Sequence, residues 1–180
     1  MQDYGPWKIT ASHEIYRDPW LHVRKDDVIR PDGKAGTHGL VTIKPGVSVL
    51  AMDDEQNVYL TEEFHYAIGR VNLEVVSGGR EDNEPPLVAA QRELEEELGI
   101  TASQWTDLGT VDPFTSLVLS PTQLFLAQGL AFGPTRQEGT ELIKLHQCKF
   151  GEVIEMVVAG EVTHGPSCVL ILKAALMGGR

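Results

Sequence analysis

The sequence has little that would staple a small fold or anchor it in a membrane. Its 180 residues include only two cysteines, Cys148 and Cys168, which form no CxxC pair. We therefore interpret both as small apolar residues of the interior, in a protein of a reducing compartment. They do not form a pattern typical of a disulfide framework or a zinc site. No charged-then-apolar leader opens the chain, and no apolar run approaches the roughly 20 residues that span a bilayer. We expect a cytoplasmic protein that has no membrane partner.

Basic residues are also few, because 15 Lys and Arg stand against 26 Asp and Glu, for a net charge of -11. An acidic chain repels the phosphates of nucleic acids and anionic membranes, which argues against both as partners. A phosphate-bearing substrate would need local compensation by a bound cation. Apolar residues make up 42% of the chain, which is typical of a globular domain.

Turn formers and aromatic residues are concentrated in residues 1–45, and the Pro31-Asp32-Gly33 turn separates two short apolar runs there. We interpret 1–45 as a separate strand region that contains a hairpin, and 46–180 as the main domain. Strands are predicted at 21–23, 40–43, 47–52, 58–60, 71–76, 106–111, 122–128 and 141–145. Helices are predicted at 86–98, 151–159 and 167–177. This mixed order predicts an α/β sandwich.

The helix predicted at 86–98 has an apolar stripe and a concentrated acidic side. Prolines at 85 and 86 suit its start, and Gly99 suits its end. Glu93 and Glu97 are four residues apart and share one face, and Glu96 borders that face. Such crowding costs stability unless a positive charge lies among the carboxylates, and a hard divalent cation with oxygen ligands fits this requirement.

The segment from Gly78 to Ile100 resembles the Nudix box, GX5EX7REUXEEXGU, at all nine constrained positions over 23 residues. Glu84, Arg92, Glu93, Glu96 and Glu97 fill its charged positions, and Leu94 and Ile100 fill its bulky aliphatic positions. The resemblance implies a Nudix hydrolase with an α/β/α sandwich, a mixed central sheet and a small N-terminal antiparallel sheet.

The resemblance also implies roles for the box residues. Glu93 and Glu97 would be the principal ligands of Mg²⁺ or Mn²⁺, Glu96 an additional ligand, and the Ser77 carbonyl a further one. Arg92 would hold the box carboxylates in position, and Glu84 would support the loop. A bound cation neutralises a diphosphate and activates water for attack on phosphorus.

The segment before the box, with Arg70 and Glu74, is similar to the E-[L/F]-P-[A/G]-G turn of ADP-ribose and nucleotide-sugar pyrophosphatases. Val76 stands where that pattern has proline, and His65 where an arginine commonly precedes the tyrosine. We expect Arg70 and Glu74 to contact substrate. Trp20, Phe114 or Tyr66 would stack on a base, with Trp20 and Phe114 preferred.

Residues 138–143 resemble the acidic loop of the same enzymes, in which one glutamate acts as general base. Glu138 is preferred for this role, and Glu141 or one of the box glutamates is the alternative. The N-terminal 45 residues resemble a sheet that builds a homodimer in these enzymes.

The expected reaction is hydrolysis of ADP-ribose, a small-molecule substrate, to AMP and ribose 5-phosphate. GDP-mannose or another nucleotide sugar is an alternative substrate. A nucleotide-sensing module without catalysis is a second alternative, and cleavage of oxidised nucleoside triphosphates is a third.

Overall fold

The computed structural model describes residues 1–137 and 142–178, and the chain divides into two compact units. Unit 1 combines Met1–Pro45 with Asp112–Pro121, and unit 2 combines Gly46–Val111 with Thr122–Arg180. The strands of the described residues are β1 (Gln2–Tyr4), β2 (Trp7–Arg17), β3 (Leu21–Ile29), β4 (Ala35–Ile43), β5 (Gly46–Met52), β6 (Asn57–His65), β7 (Arg70–Glu74), β8 (Val76–Gly79), β9 (Ile100–Val111), β10 (Val118–Leu119), β11 (Thr122–Phe132) and β12 (Lys144–Lys149). The helices are α1 (Pro86–Leu98), α2 (Phe150–Ala159) and α3 (Gly165–Gly178).

Unit 1 is a five-stranded sheet with the order β1-β2-β3-β4-β10. The hairpin predicted around the Pro31-Asp32-Gly33 turn is confirmed, because β3 and β4 pair antiparallel along their length. Neither β1 nor β2 was predicted from the sequence. Almost all of β2 is exposed, so its sequence lacks the alternation that marks a strand with one buried face. The short strand β10 adds a parallel pair with β4 to an otherwise antiparallel sheet.

Unit 2 contains a mixed sheet with the path β12-β6-β5-β11-β9. The central strand β5 is parallel to β11 and antiparallel to β6. The pairing of β5 with β6 is limited to Ala51 with Tyr59 and Met52 with Val58. At Gly46–Val49, β5 pairs with β8 instead, and at Thr61–His65, β6 pairs with β7. The single strand predicted at 71–76 was therefore wrong, because the chain changes partners at Val75.

Helices cover both faces of the unit 2 sheet. One core places the α1 residues Ala90 and Leu94 against Val47 and Val49 of β5. The second core contains Leu50 of the same strand, together with buried side chains of α2 and α3. Successive residues of a strand point to opposite faces, so one strand serves both cores. The α/β/α sandwich and mixed central sheet are confirmed.

The predicted helix at 86–98 is confirmed at both ends. The helices predicted at 151–159 and 167–177 are also confirmed. They begin at Phe150 and Gly165, one and two residues earlier than predicted. The strand predicted at 141–145 is shifted, because β12 begins at Lys144 and continues to Lys149. No helix in the described part of the chain is both long and apolar enough to cross a membrane.

Cys148 and Cys168 are free thiols that are only half-buried, so the prediction that both lie in the interior was wrong in degree. Burial nevertheless raises the pKa of each thiol.

Candidate active site

The helix α1 turns two of the box acids inward, since Glu97 is among its buried residues and the side chain of Glu93 is only 13% exposed. Its buried face includes Ala90 and Leu94, and the αL conformation of Gly99 ends the helix at φ 65°. Glu97 is only 6% exposed although it carries a carboxylate. A charged group this far from water requires polar or cationic partners, so the environment of Glu97 differs from that of a solvated acidic face.

Gly78 brings β8 directly against the side chain of Glu93. A Cβ at residue 78 would overlap the carboxylate carbon and both carboxylate oxygens of Glu93, well inside 3.0 Å. The neighbouring Gly79 has open space at the same position. Because the φ of Gly78 is outside the left-handed region, the requirement for glycine at 78 is one of space. The Glu93 carboxylate therefore lies directly beside the backbone of β8 at Gly78, and a side chain at residue 78 would displace it.

Arg92 lies at the centre of the carboxylate cluster. Its Nε and Nη2 donate to the two oxygens of Glu84 at 3.0 and 3.1 Å. Its Nη1 donates to Glu93 Oε1 at 2.9 Å and to Glu96 Oε2 at 3.1 Å. Its Nη2 also donates to the carbonyl of Gly79 at 3.0 Å. A guanidinium has five N–H donors in a rigid plane, so it can bind several acceptors at once. A lysine ammonium has only three donors and no such fixed geometry.

Glu84 connects this cluster to the loop that precedes α1. Its Oε2 accepts the backbone N–H of Glu81 at 2.8 Å, and its carbonyl accepts two hydrogen bonds from Arg80. The hydrogen bond from Arg92 is the largest influence on the Glu84 carboxyl and holds its pKa below the ordinary value. In return, Glu84 is the main reason that the pKa of Arg92 is raised.

The oxygen donors around Arg92 fit a hard divalent cation. Among residues 1–137 and 142–178, no group of three or more His, Cys, Asp or Glu side chains is already arranged to hold a metal ion. Instead, Arg92 joins Glu93 and Glu96. The ligands predicted from the sequence, Glu93, Glu96, Glu97 and the Ser77 carbonyl, would offer oxygens alone, which are the donors that Mg²⁺ and Mn²⁺ prefer. The space that Gly78 leaves for the Glu93 carboxylate is consistent with this fit.

The C-terminal carbonyls of α1 accept hydrogen bonds from a distant segment. The backbone N–H of Arg136 donates to Glu96 O at 2.8 Å. The side-chain amide of Gln137 donates to Glu97 O at 2.9 Å and to Ile143 O at 3.1 Å. Helix carbonyls at this end have no partner within the helix, so these contacts satisfy the backbone of two box glutamates.

Glu74 lies in a second polar network, with His65, Asn72 and His164 as its partners. Its Oε1 is 3.0 Å from His65 Nε2 and accepts from Asn72 Nδ2 at 2.8 Å. Its Oε2 is 3.1 Å from His164 Nδ1. Burial lowers the pKa of His164, and the nearby negative charge of Glu74 opposes this shift. Both oxygens of Glu74 are thus engaged by protein groups.

Arg70 belongs to the same network. Its Nη2 donates to Thr163 Oγ1 at 2.9 Å, and Thr163 in turn donates to Asn72 Oδ1 at 3.0 Å. Asn72 then links Arg70 to Glu74, so the structure brings these two predicted substrate residues together. Thr163 and Asn72 were not predicted as site residues; for Asn72 the available signal is an amide two residues before Glu74 among the valines and leucine of 71–76.

The other predicted site residues lie in unit 1, in unit 2 and in the undescribed part of the chain. Trp20 and Phe114 belong to unit 1, with exposures of 69% and 54%. Tyr66 is in unit 2 and is also largely exposed. The predicted general base Glu138 and its alternative Glu141 lie outside the described residues.

The sandwich, the glycine turn and the acidic helix define a hydrolase of the Nudix class. The chain belongs to the NUDIX family, because the model of the NUDIX domain matches residues 42–154. A second model, the nucleoside diphosphate sugar hydrolase N-terminal domain, matches residues 7–41.

Individual relatives agree with this assignment. The chain is similar to an ADP-ribose pyrophosphatase of Bacillus subtilis, with 27% identity over 94% of this chain and 95% of the relative. It is also similar to a CMP-5'-(N-acetyl-N-hydroxy-3-aminopropyl)phosphonate hydrolase of Streptomyces rubellomurinus, with 30% identity over 97% of this chain and 85% of the relative. A solved structure of an ADP compounds hydrolase shares the fold, with a TM-score of 0.83, 17% identity, and coverage of 99% of this chain and 98% of that one.

Proposed function

We propose that this Nudix hydrolase cleaves the pyrophosphate of a nucleoside diphosphate linked to a sugar, with ADP-ribose as the first substrate. The products would be AMP and ribose 5-phosphate. The observation that carries the proposal is the packing of Glu93 against Gly78 with Arg92 bound to three box carboxylates. The N-terminal family match and the ADP-ribose pyrophosphatase relative support the choice of substrate class.

The proposed metal ligands are Glu93 and Glu97, with Glu96 and the Ser77 carbonyl as further ligands, and the proposed metal is Mg²⁺ or Mn²⁺. A bound cation of this type neutralises a diphosphate and lowers the pKa of a coordinated water. The small exposure of Glu97 supports this assignment, because a carboxylate buried in this way is stabilised by positive charge.

The chain's own residues would orient the reacting groups. Arg92 holds Glu93 and Glu96 through hydrogen bonds, so their oxygens are fixed before a substrate arrives. Glu138 is the proposed general base, which takes the proton of the attacking water. The water oxygen bonds to one phosphorus, the bridging P–O bond breaks, and the bridging oxygen leaves with the other phosphate.

Substrate contacts are proposed for Arg70, Glu74, Trp20 and Phe114. The exposed rings of Trp20 and Phe114 are available to stack on a nucleobase. Arg70 is exposed and carries the positive charge that a phosphate or terminal ribose phosphate would require. Glu74 would act through its network of hydrogen bonds with Asn72 and the two histidines.

Two other substrate groups follow from specific observations. Nucleotide sugars such as GDP-mannose share the diphosphate that the box residues would bind. The similarity to the CMP-phosphonate hydrolase over 97% of the chain favours a CMP conjugate as a further candidate.

The test is incubation of the purified chain with ADP-ribose and Mg²⁺, with and without EDTA, and separation of AMP by chromatography. We expect AMP that depends on the metal and disappears with EDTA. Activity that survives exhaustive chelation would rule out the metal mechanism. If no AMP appears, a panel containing GDP-mannose, other nucleotide sugars and CMP conjugates follows. Binding without turnover across that panel would favour a nucleotide sensor.

We also propose a homodimer formed through the N-terminal region 1–45. Sedimentation velocity over a range of protein concentrations tests this state. A single species with the mass of one chain, at every concentration, would contradict the dimer.

A further inference from the structure

Val75 is a bend residue with no place in either neighbouring strand ladder. The register of β7 with β6 ends at Glu74, and the register of β8 with β5 begins at Val76. The side chain of Val75 is fully buried. Its backbone N–H and carbonyl therefore need partners from outside the sheet, since buried backbone groups are almost always hydrogen-bonded.

Serine hydroxyls supply both partners. The N–H of Val75 donates to Ser167 Oγ at 3.1 Å. The carbonyl of Val75 accepts the hydroxyl hydrogen of Ser77 at 3.0 Å. Ser77 is also 2.8 Å from Ser48 Oγ. Because the single hydrogen of Ser77 goes to Val75, Ser48 donates to Ser77. The direction of the hydrogen bonds thus runs from Ser48 through Ser77 to Val75.

Ser48 is fully buried on β5 and stands opposite Ser77 in the strand register. Its hydroxyl has no access to water, so the bond to Ser77 is the hydrogen bond that the structure gives it. A buried hydroxyl in an apolar strand is costly without a partner. The hydrogen bond between Ser48 and Ser77 therefore connects the central strand β5 to the turn that leads into the box.

The residues at the end of this chain of hydroxyls are those of the proposed cation site. Ser77 carries the carbonyl proposed as a ligand, and Gly78 is packed against Glu93 without room for a Cβ. A movement of the bend would therefore displace the carbonyl and the contact with Glu93 together. Val76 holds the position where the resembling pattern has proline, so no ring restricts the backbone before Ser77.

We infer that Ser48 and Ser77 form a hydroxyl relay that fixes the bend at Val75 and thereby positions the Ser77 carbonyl and Gly78 for cation binding. This inference rests on the proposed function. Both serines are positioning residues, since their hydroxyls act on the backbone rather than on the substrate. Ser167 holds the other side of the same bend, away from the carbonyl that enters the site.

The experiment measures Mn²⁺ binding to the full chain without substrate, by the electron paramagnetic resonance signal of free Mn²⁺. It compares the unaltered chain with Ser48→Ala, Ser77→Ala and the matched control Ser167→Ala. We expect the dissociation constant to rise about tenfold in the first two, as is typical when a partner of a ligand is lost. Ser167→Ala should lower the melting temperature but keep the Mn²⁺ dissociation constant close to that of the unaltered chain. In hydrolysis assays, excess Mg²⁺ should restore much of the rate lost in Ser48→Ala.

Several results would overturn the relay. The first is unchanged Mn²⁺ binding in folded Ser48→Ala and Ser77→Ala. The second is an equal loss of Mn²⁺ affinity in all three variants, because that would indicate general loosening of the bend. If Ser48→Ala fails to fold, the half-buried Ser77→Ala carries the test alone. Mn²⁺ binding by the unaltered chain separates the two proposals. If the unaltered chain binds Mn²⁺ and the serine variants bind it equally well, only the relay fails. If the unaltered chain does not bind Mn²⁺, the proposed function and the relay fail together.

Discussion

The Cα of Gly78 and the carboxylate of Glu93 are packed so closely that no side-chain carbon fits between them. We expect Gly78→Ala to displace Glu93 and to lower kcat/KM about 100-fold, the order of loss that a misplacement of about 1 Å produces. Gly79→Ala is the matched control, because a Cβ at that neighbouring position meets open space. Steady-state kinetics of the two variants provide the comparison, and equal rates would show that the close approach has no role in catalysis.

Substitutions at Glu97 and Glu95 test which face of α1 would bind the metal ion. Glu97→Gln keeps the shape of a buried side chain and removes its charge, so we expect a folded protein whose turnover falls by more than about 100-fold. That loss exceeds the usual cost of removing a residue that only hydrogen-bonds to a metal ligand. Glu95→Gln is the control, since the Glu95 side chain is 44% exposed and pairs with Arg136 at 2.9 Å. Such surface pairs contribute little. Near-normal turnover in Glu97→Gln would refute the ligand assignment.

Gly99 and Gly160 both end helices in the αL conformation, with φ values of 65° and 77°. Gly160→Ala should lower the free energy of unfolding by about 1–2 kcal/mol, the cost of αL for a residue with a Cβ. Gly99→Ala should lose about 1–3 kcal/mol more from overpacking, because its Cβ would overlap Gly133 O and lie 2.9 Å from the carbonyl carbon of Pro134. Urea unfolding of both variants measures the difference, and equal losses would contradict the steric argument.

The Glu84–Arg92 pair should make stability depend on pH. Because Arg92 lowers the pKa of Glu84 in the folded state, the pair stabilises the fold above the unfolded pKa of about 4.3. That contribution is lost as the pH falls through the folded pKa. Glu84→Gln lacks this titration, so its deficit in unfolding free energy should be large at pH 6 and shrink below pH 4.3 or so. Urea unfolding across this range checks the trend, and a constant deficit would argue against the linkage.

The helix and the charged cluster of the candidate site were predictable because their signals are local. The stripe of Leu94 and Leu98, the prolines before the helix and Gly99 after it all lie within about one helix length. Glu84 and Arg92 are eight residues apart and meet directly. The fixed spacing of the box therefore contained most of the geometry that the structure shows.

The polar networks beyond the box were not predictable, because their partners are distant in sequence. Glu74 meets His164, and Val75 meets Ser167 across 92 residues. Ser48 and Ser77 meet through strand pairing between β5 and β8. No periodicity in the sequence encodes such contacts, since they depend on which strand lies beside which after folding.

The missed strands have a different cause. The predictions used alternation of apolar and polar residues, which requires one buried face. Most of β2 is exposed on both faces, and β10 has only two residues and pairs in parallel with β4, more than 70 positions earlier. Neither strand carries a local pattern of its own.

The short strand β10 limits how the chain can be divided or recombined. Unit 1 takes Asp112–Pro121 from the middle of the sequence, and Val118 in that segment pairs with Val41 of β4. A hybrid protein made by exchanging residues 1–45 with those of a relative would keep the native 112–121 segment against a foreign β4. Shuffling of such enzymes should succeed more often when both segments are inherited together. The N-terminal region is thus not an interchangeable module, even though it is the first segment of the chain and is matched by a family model of its own.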